Sequence, residues 1–499
     1  MPQSLQFALQ NHSNSSEVYI YITGLAIQHN SQRCFIQANG KELYFPNDVS
    51  KVGSPLEVDC AIPLGPPGNT VCVTVPQLAG ARLWISMDSK LTFLLNPGPG
   101  LVEPSVLNPG DPNAKVNFGF CEFTLNDAQL YANITYVDFV PLIPIALSLK
   151  TASGALQHVA GMPPDGLTRI ANALRTQTQQ DGWPWDKLIV EQNGRLLRVL
   201  NPTHGGAVGA NFNGYFEPYV EQVWQKYRQG ANVKINTQAA PGILSGSVNR
   251  NGEFVVGSES FPKPTTADIL SCNTGPFVTG PSPVRNAIIP RLAAGFVRTA
   301  ILSNEEQPSS PDTFYRQNPT HHYSRIVHEN NIDAKGYAFA YDDVQQDGGE
   351  DQSGKVNDGA PLLFTVTIGG HGAQASSWRP QEQFHQHLVN QQPVHQQPAY
   401  QQPSYQQPAY QQPSYQRPPY QQPSYEQPSY QQPAYQRPPI QQPPYQQPAY
   451  QQPAYQQPMY QQPTNHQQSP SSNDQNNRPG GRHEWLRTTI QRISQRILK

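Results

Sequence analysis

The sequence predicts a mainly β domain interrupted by a smaller mixed α/β portion, followed by a long non-globular tail. Three observations carry this. Short runs of strand length, apolar or alternating, lie near both ends of residues 1 to about 372; helical periodicity is confined to the middle; and the composition changes abruptly after Gly372. Over the 499 residues, proline reaches 51 while hydrophobic residues make only 36% and charged residues 14%. An uncharged, proline-rich segment must therefore dilute both classes at once.

Taken in order, Glu17–Thr23, Arg82–Ser86, Lys90–Leu95, Cys121–Leu125 and Phe364–Ile368 read as strands. Between them, Leu167, Ile170 and Leu174, then Val220, Val223, Trp224 and Tyr227, then Leu292, Phe296 and Ile301 in a segment opened by Pro290, follow helical spacing. The expected division is a β part over about 1–145 and 286–372, with the α/β insertion over about 146–285. From 373 to 482 the chain is dominated by a five-residue Tyr-Gln-Gln-Pro-Ser/Ala repeat, with tyrosine at 400, 405, 410 and onward. Proline every fifth residue forbids helix and sheet ladder, so this tail is expected to be disordered, as a spacer or as a surface for self-association. Residues 483–499 place Leu486, Ile490, Ile493 and Ile497 on one face of a basic amphipathic helix that needs an anionic membrane surface, a protein partner or its own domain to dock on.

Several functions are excluded or disfavoured. A net charge of −2 offers no footprint for nucleic acid, and no apolar run is long enough to span a bilayer. Phosphate-cradling glycine motifs and the G-x-S-x-G elbow are absent, and no cofactor is implied. His321, His322 and His328 cluster without the spacing of a metal triad, so they read as packing or hydrogen-bonding residues and no metal site is expected. The five cysteines show no CxxC spacing and read as core residues. The opening residues carry no basic-then-apolar signal pattern, which sets a cytoplasmic address as the default expectation.

The segment from Phe120 to Val140 holds the candidate chemistry. A period of two puts Glu122, Thr124 and Asn126 on one face and Cys121, Phe123 and Leu125 on the other. A second strand over Tyr131–Val140 carries one acid, Asp138. In a hairpin with an odd loop both carboxylates would share a face. Two acids on one groove suit glycoside hydrolysis, one protonated to donate to the leaving oxygen and one ionised to activate water or attack the sugar. On the spacing alone the signal is weak, and a solvent-facing glutamate on a strand is the more ordinary reading.

The ordered segments Arg82-Leu-Trp-Ile-Ser86, Leu101-Val-Glu-Pro-Ser105, Phe118-Gly-Phe-Cys-Glu-Phe-Thr124, Tyr131-Ala-Asn-Ile-Thr-Tyr-Val-Asp-Phe-Val140, Tyr219-Val-Glu-Gln-Val-Trp224, His322-Tyr-Ser-Arg-Ile-Val-His328 and Tyr337-Ala-Phe-Ala-Tyr-Asp-Asp-Val344 resemble glycoside hydrolase family 64. The resemblance covers roughly residues 1–372. It implies a thaumatin-like β-sandwich or barrel with a smaller α/β subdomain, a crescent with a wide groove for β-1,3-glucan. It further implies an inverting endo-β-1,3-glucanase with Glu122 as general acid and Asp138 as general base, and with Thr124, Asn126 and Tyr131 contacting sugar. Tyr131 stands where the family commonly has tryptophan, and Ala340 where it often has proline. The second reading is a catalytically idle β-1,3-glucan-binding protein or scaffold localised by its tail. If the target is cell-wall glucan, unconventional secretion is the implied route.

Overall fold

The computed structural model describes residues 3–370. The repeat tail of 373–482 and the basic helix expected over 483–499 lie outside the described residues. The strands that position the site are β1 (Ser4–Asn11), β2 (Val18–Ala26), β3 (Gln32–Ile36), β4 (Leu43–Tyr44), β5 (Thr70–Pro76), β6 (Leu78–Met87), β7 (Asn117–Leu125), β8 (Leu130–Ile134), β9 (Phe139–Pro141), β10 (Ile145–Thr151), β11 (Leu156–Val159), β12 (Arg195–Leu200), β13 (Lys355–Asp358) and β14 (Pro361–Ile368). One sheet has the order β11-β10-β14-β1-β5, with β1 and β14 parallel. The other runs β13-β8-β7-β6-β2-β3-β4, all antiparallel, with a short strand Ile62–Pro63 on β2.

The alternation of side chains explains why these two sheets pack together. Cys121, Phe123 and Leu125 of β7, Ile20 and Ile22 of β2, and Leu83 and Ile85 of β6 share one buried core with Phe7, Leu9, Val73, Leu147 and Val366 of the other sheet. Phe7 meets Phe123 edge-on at 5.1 Å between ring centroids. The opposite face of the larger sheet carries a second cluster, in which Tyr21, Trp84, Phe118 and Phe120 pack with Phe93 and Phe139. Burial on both faces accounts for the nearly unbroken apolar text of β2 and β6.

Helices α1 (Gly166–Asp181), α2 (Glu217–Arg228), α3 (Thr266–Ser271), α4 (Pro283–Val297) and α5 (His322–Asn330) lie between residues 166 and 330. The residues at helical spacing are the buried ones of α1 and α2. Four expectations need correction. The helix expected to open at Pro290 opens instead at Pro283, where the Ser282 hydroxyl caps it by accepting from the Arg285 N–H at 3.2 Å, and Pro290 sits inside it. Lys90–Leu95 is not a strand over its length: Leu91 and Phe93 turn into the aromatic cluster, and the Asn113 amide, not a neighbouring strand, satisfies the Thr92 backbone at 2.8 and 2.7 Å. The boundary expected near residue 145 falls inside the first sheet, because β10 and β11 pair with β14 and with each other. Cys72, read as a core residue, is exposed on β5, while the other four cysteines are buried.

One close approach matters for the site. A Cβ on Gly119 of β7 would stand 2.8 Å from both Cβ and Cγ of Pro141 on β9, so only glycine lets β9 cross β7 at this depth. Gly119→Ala is expected to destabilise the fold by about 1–3 kcal/mol, as overpacking does. It should also displace the turn that precedes β9, read as a lowered Tm with a reduced turnover in the remaining folded protein. A Tm and turnover like the parent's would show that β9 is free to shift.

Candidate active site

Register builds the first half of the site. On β7, Glu122 lies opposite Asn133 of β8 on one side and Arg82 of β6 on the other, and Arg82 lies opposite Thr23 of β2. A polar row thus crosses four strands on the face away from the main core. Arg82 is 7% exposed, and its guanidinium rests over the Phe120 and Trp84 rings at 4.6 and 5.4 Å. Its Nε donates to Glu122 Oε1 at 3.1 Å and its Nη1 to Glu103 Oε2 at 3.0 Å. Charge-assisted bonds of this kind fix the glutamate carboxyl in direction as well as in place.

Asp138 reaches the same region by a different route from the one the spacing predicts. The β7–β8 loop has four residues, Asn126 to Gln129, and the pairing of Glu122 with Asn133 would put residue 138 on the opposite face of a continuous strand. The strand breaks instead. β8 ends at Ile134, Thr135 forms an isolated bridge to Tyr337, and β9 leaves to pair with β12 in another sheet. The break is held from several sides: the Tyr136 N–H donates to the Tyr337 carbonyl at 2.8 Å, the Tyr323 hydroxyl of α5 to the Tyr136 carbonyl at 2.6 Å, and the Asn201 N–H to the Asp138 carbonyl at 3.0 Å. The Asp138 carboxylate then bonds His204 Nε2 at 3.2 Å.

The two carboxyls are shifted in opposite directions. Burial pushes Glu122 above the ordinary carboxylate range; Arg82 pulls it down by charge and hydrogen bond, but the charges of Asp138 and Glu103 reinforce burial. Burial would also raise Asp138, yet the hydrogen bond and charge of His204 and the charge of Arg82 outweigh it and keep Asp138 below its usual range. Their side chains are 17% and 20% exposed, so both remain reachable from solvent. A pair of acids pushed apart in this way can divide into a proton donor and a proton acceptor.

The remaining expected contacts divide. A shallow depression beside Glu122 is lined by Gly80, Ala81, Phe123, Thr124, Tyr131 and Asn133. Tyr131 is half-buried there. Thr124 and Asn126 do not form the solvent-facing row that the period of two suggests, being only 2% and 4% exposed. The Thr124 hydroxyl accepts from the Gly80 N–H at 3.2 Å, and Asn126 Oδ1 accepts from the N–H groups of Ala128 and Gln129 at 2.9 and 3.0 Å, closing the β7–β8 loop as an Asx turn. The three clustered histidines are used internally: His321 Nδ1 accepts from the Ser324 N–H at the start of α5, His322 Nδ1 bonds Arg325 Nε at 3.1 Å, and His328 bridges the Ala334 carbonyl and Asp342 at 3.0 and 2.9 Å. Arg82, Glu103 and His204 were not read as site residues from the sequence. An arginine inside the apolar run of β6 is the signal that could have pointed to the first; His204, in the glycine-rich 3-10 turn Pro202–Val208, carried none.

A family model described as beta-1,3-glucanase, glycoside hydrolase family 64, matches residues 3–368. The chain belongs to this family. A glucan endo-1,3-beta-glucosidase of Cellulosimicrobium cellulans is 30% identical to this family 64 chain over 381 residues, covering 74% of it and 65% of the relative. The chain thus spans about two thirds of that relative's length. A laminaripentaose-producing beta-1,3-glucanase crystallised with laminaritetraose is 31% identical, with a TM-score of 0.65, covering 74% of this chain and 99% of that one. The beta-1,3-glucanase domain from Clostridium beijerinckii, 21% identical with a TM-score of 0.57, shares the fold over 73% of this chain and 98% of its own.

The buried polar row gives a stability prediction. Asn126→Ala removes two turn bonds and is expected to cost about 1–2 kcal/mol, seen as a fall in the urea midpoint. A midpoint unchanged within the roughly 0.5 kcal/mol of ordinary surface substitutions would mean that the loop does not depend on Asn126.

Proposed function

We propose that this family 64 domain hydrolyses β-1,3-glucan by a single displacement, with Glu122 as general acid and Asp138 as general base. The observation that carries the reading is the opposed electrostatic setting of these two carboxyls within one polar region. Arg82 occupies Glu122 Oε1, which leaves Oε2 to carry the proton. Glu122 donates that proton to the glycosidic oxygen as the bond from C1 to the leaving sugar breaks. A water on the other face of the ring bonds to C1 and gives a proton to Asp138, held ionised by His204. Sugar rings would pack in the depression beside Glu122, with Tyr131 supplying an aromatic face. The sandwich is proposed to be of the thaumatin-like type, and Thr124 and Asn126 to shape the sugar-contacting wall through the backbone they hold.

The relatives, a glucan endo-1,3-beta-glucosidase and a beta-1,3-glucanase crystallised with laminaritetraose, support the choice of an internal β-1,3 linkage as substrate. Activity should fall at low pH as Asp138 takes up a proton and at high pH as Glu122 loses its own. Glu122→Gln and Asp138→Asn are each expected to lower reducing-sugar release from laminarin by about 10²–10⁴-fold. Retention of laminarin on native affinity gels should persist in both variants. Either variant turning over at the parent rate contradicts the assignment of that residue.

A further inference from the structure

One guanidinium serves two glutamates. Arg82 reaches Glu122 through Nε at 3.1 Å and Glu103 through Nη1 at 3.0 Å, and the aromatic rings of Phe120 and Trp84 beneath it leave the cation little freedom to move off either. Glu103, which directly follows the short strand Gly100–Val102, is 13% exposed and has its own setting: the Thr23 hydroxyl lies at 3.5 Å and Arg33 Nη1 at 3.9 Å. No step of the proposed reaction uses it. We propose that Glu103 is a positioning residue for the proton on Glu122: by holding the far side of the Arg82 guanidinium, it keeps that cation from drawing Glu122 into its ionised form.

The argument is one of charge balance in a poorly solvated row. A fully available guanidinium beside a carboxyl favours the carboxylate, which cannot act as the acid. With Glu103 engaged, the cation is shared and Glu122 feels a second negative charge behind it. The groups facing Glu122 are Arg82 of β6, Asp138 of the β8–β9 turn, Glu103 and the uncharged Asn133 of β8, while the neighbouring Cys121 thiol is pushed up to about 12 by burial and stays neutral. Arg33 of β3 faces Glu103, and His204 faces Asp138. Arg33 should therefore act with the opposite sign to Glu103: it partly neutralises Glu103 and so returns some of Arg82 to Glu122.

The inference rests on Glu122 being the general acid, and the test separates the two. In full-length Glu103→Gln, the alkaline limb of the pH profile for laminarin hydrolysis should move to lower pH, and the acid limb, set by Asp138, should move less. A uniform loss at all pH values with the limb unmoved would mark Glu103 as merely structural and overturn the proposal. Arg33→Gln, at a side chain that is 27% exposed and so of little risk to folding, should move the alkaline limb to higher pH. If Glu103→Gln does not fold, this variant decides, and a limb that stays or falls overturns the proposal. Carbon NMR of the Glu122 carboxyl in an Asp138→Asn background reads the same effect without turnover, as a titration midpoint lowered by Glu103→Gln. An active Glu122→Gln would defeat the functional reading, whereas an unmoved midpoint defeats only the role given to Glu103.

Discussion

The structure around the candidate site depends on one buried cation. Arg82 sits in a strand that is apolar on both faces, and a guanidinium in such a place is tolerated only with its charge and its donors matched. Glu122 and Glu103 supply the match, and Phe120 and Trp84 supply the floor. The floor is itself tied down, since the Trp84 indole N–H donates to the Thr23 hydroxyl at 3.1 Å. The position of the Glu122 carboxyl, the upward shift of its proton affinity and the packing of the outer aromatic cluster therefore stand or fall together. The same coupling shows how a carboxyl next to a permanent positive charge can still be pushed above its usual range: burial and two further carboxylates oppose the guanidinium.

Asp138 is set by a different constraint, the end of a strand. A continuous β8 would carry residue 138 to the wrong face, so the chain leaves the sheet after Ile134 and is clamped by Tyr337, Tyr323 and Asn201 before β9 begins. These clamps come from segments far apart in sequence, and Gly119 admits β9 against β7. Asp138 is thus placed by tertiary structure and Glu122 by sheet register, and each has its own cationic or hydrogen-bonding neighbour, His204 for the first and Arg82 for the second.

This difference decides what could be read from the sequence. Strands β2, β6, β7 and β14 and helices α1 and α2 were legible because their periodicity is set by a core on one or both faces. Glu122 and Asp138 were named through the ordered segments resembling family 64; the parity argument that seemed to join them on one face was unsound, because it assumed an odd loop and an unbroken strand. Thr124 and Asn126 looked solvent-facing because alternation reports which face a residue occupies and not what else covers that face; here Gly80 and the turn at Ala128 and Gln129 do so. His204 and Glu103 were beyond reach for the same physical reason: their partners lie 66 and, for Arg82, 21 residues away, with no local pattern to join them.

The division of labour between the two carboxyls is tested most directly by the configuration of the first product. Proton NMR of laminarin mixed with the protein, recorded before mutarotation equilibrates the new reducing ends, should show the α-anomeric signal rising first, as a single displacement by water activated at Asp138 requires. A β-anomeric signal rising first would mean two displacements through a covalent intermediate, and would contradict the roles assigned here to Glu122 and Asp138.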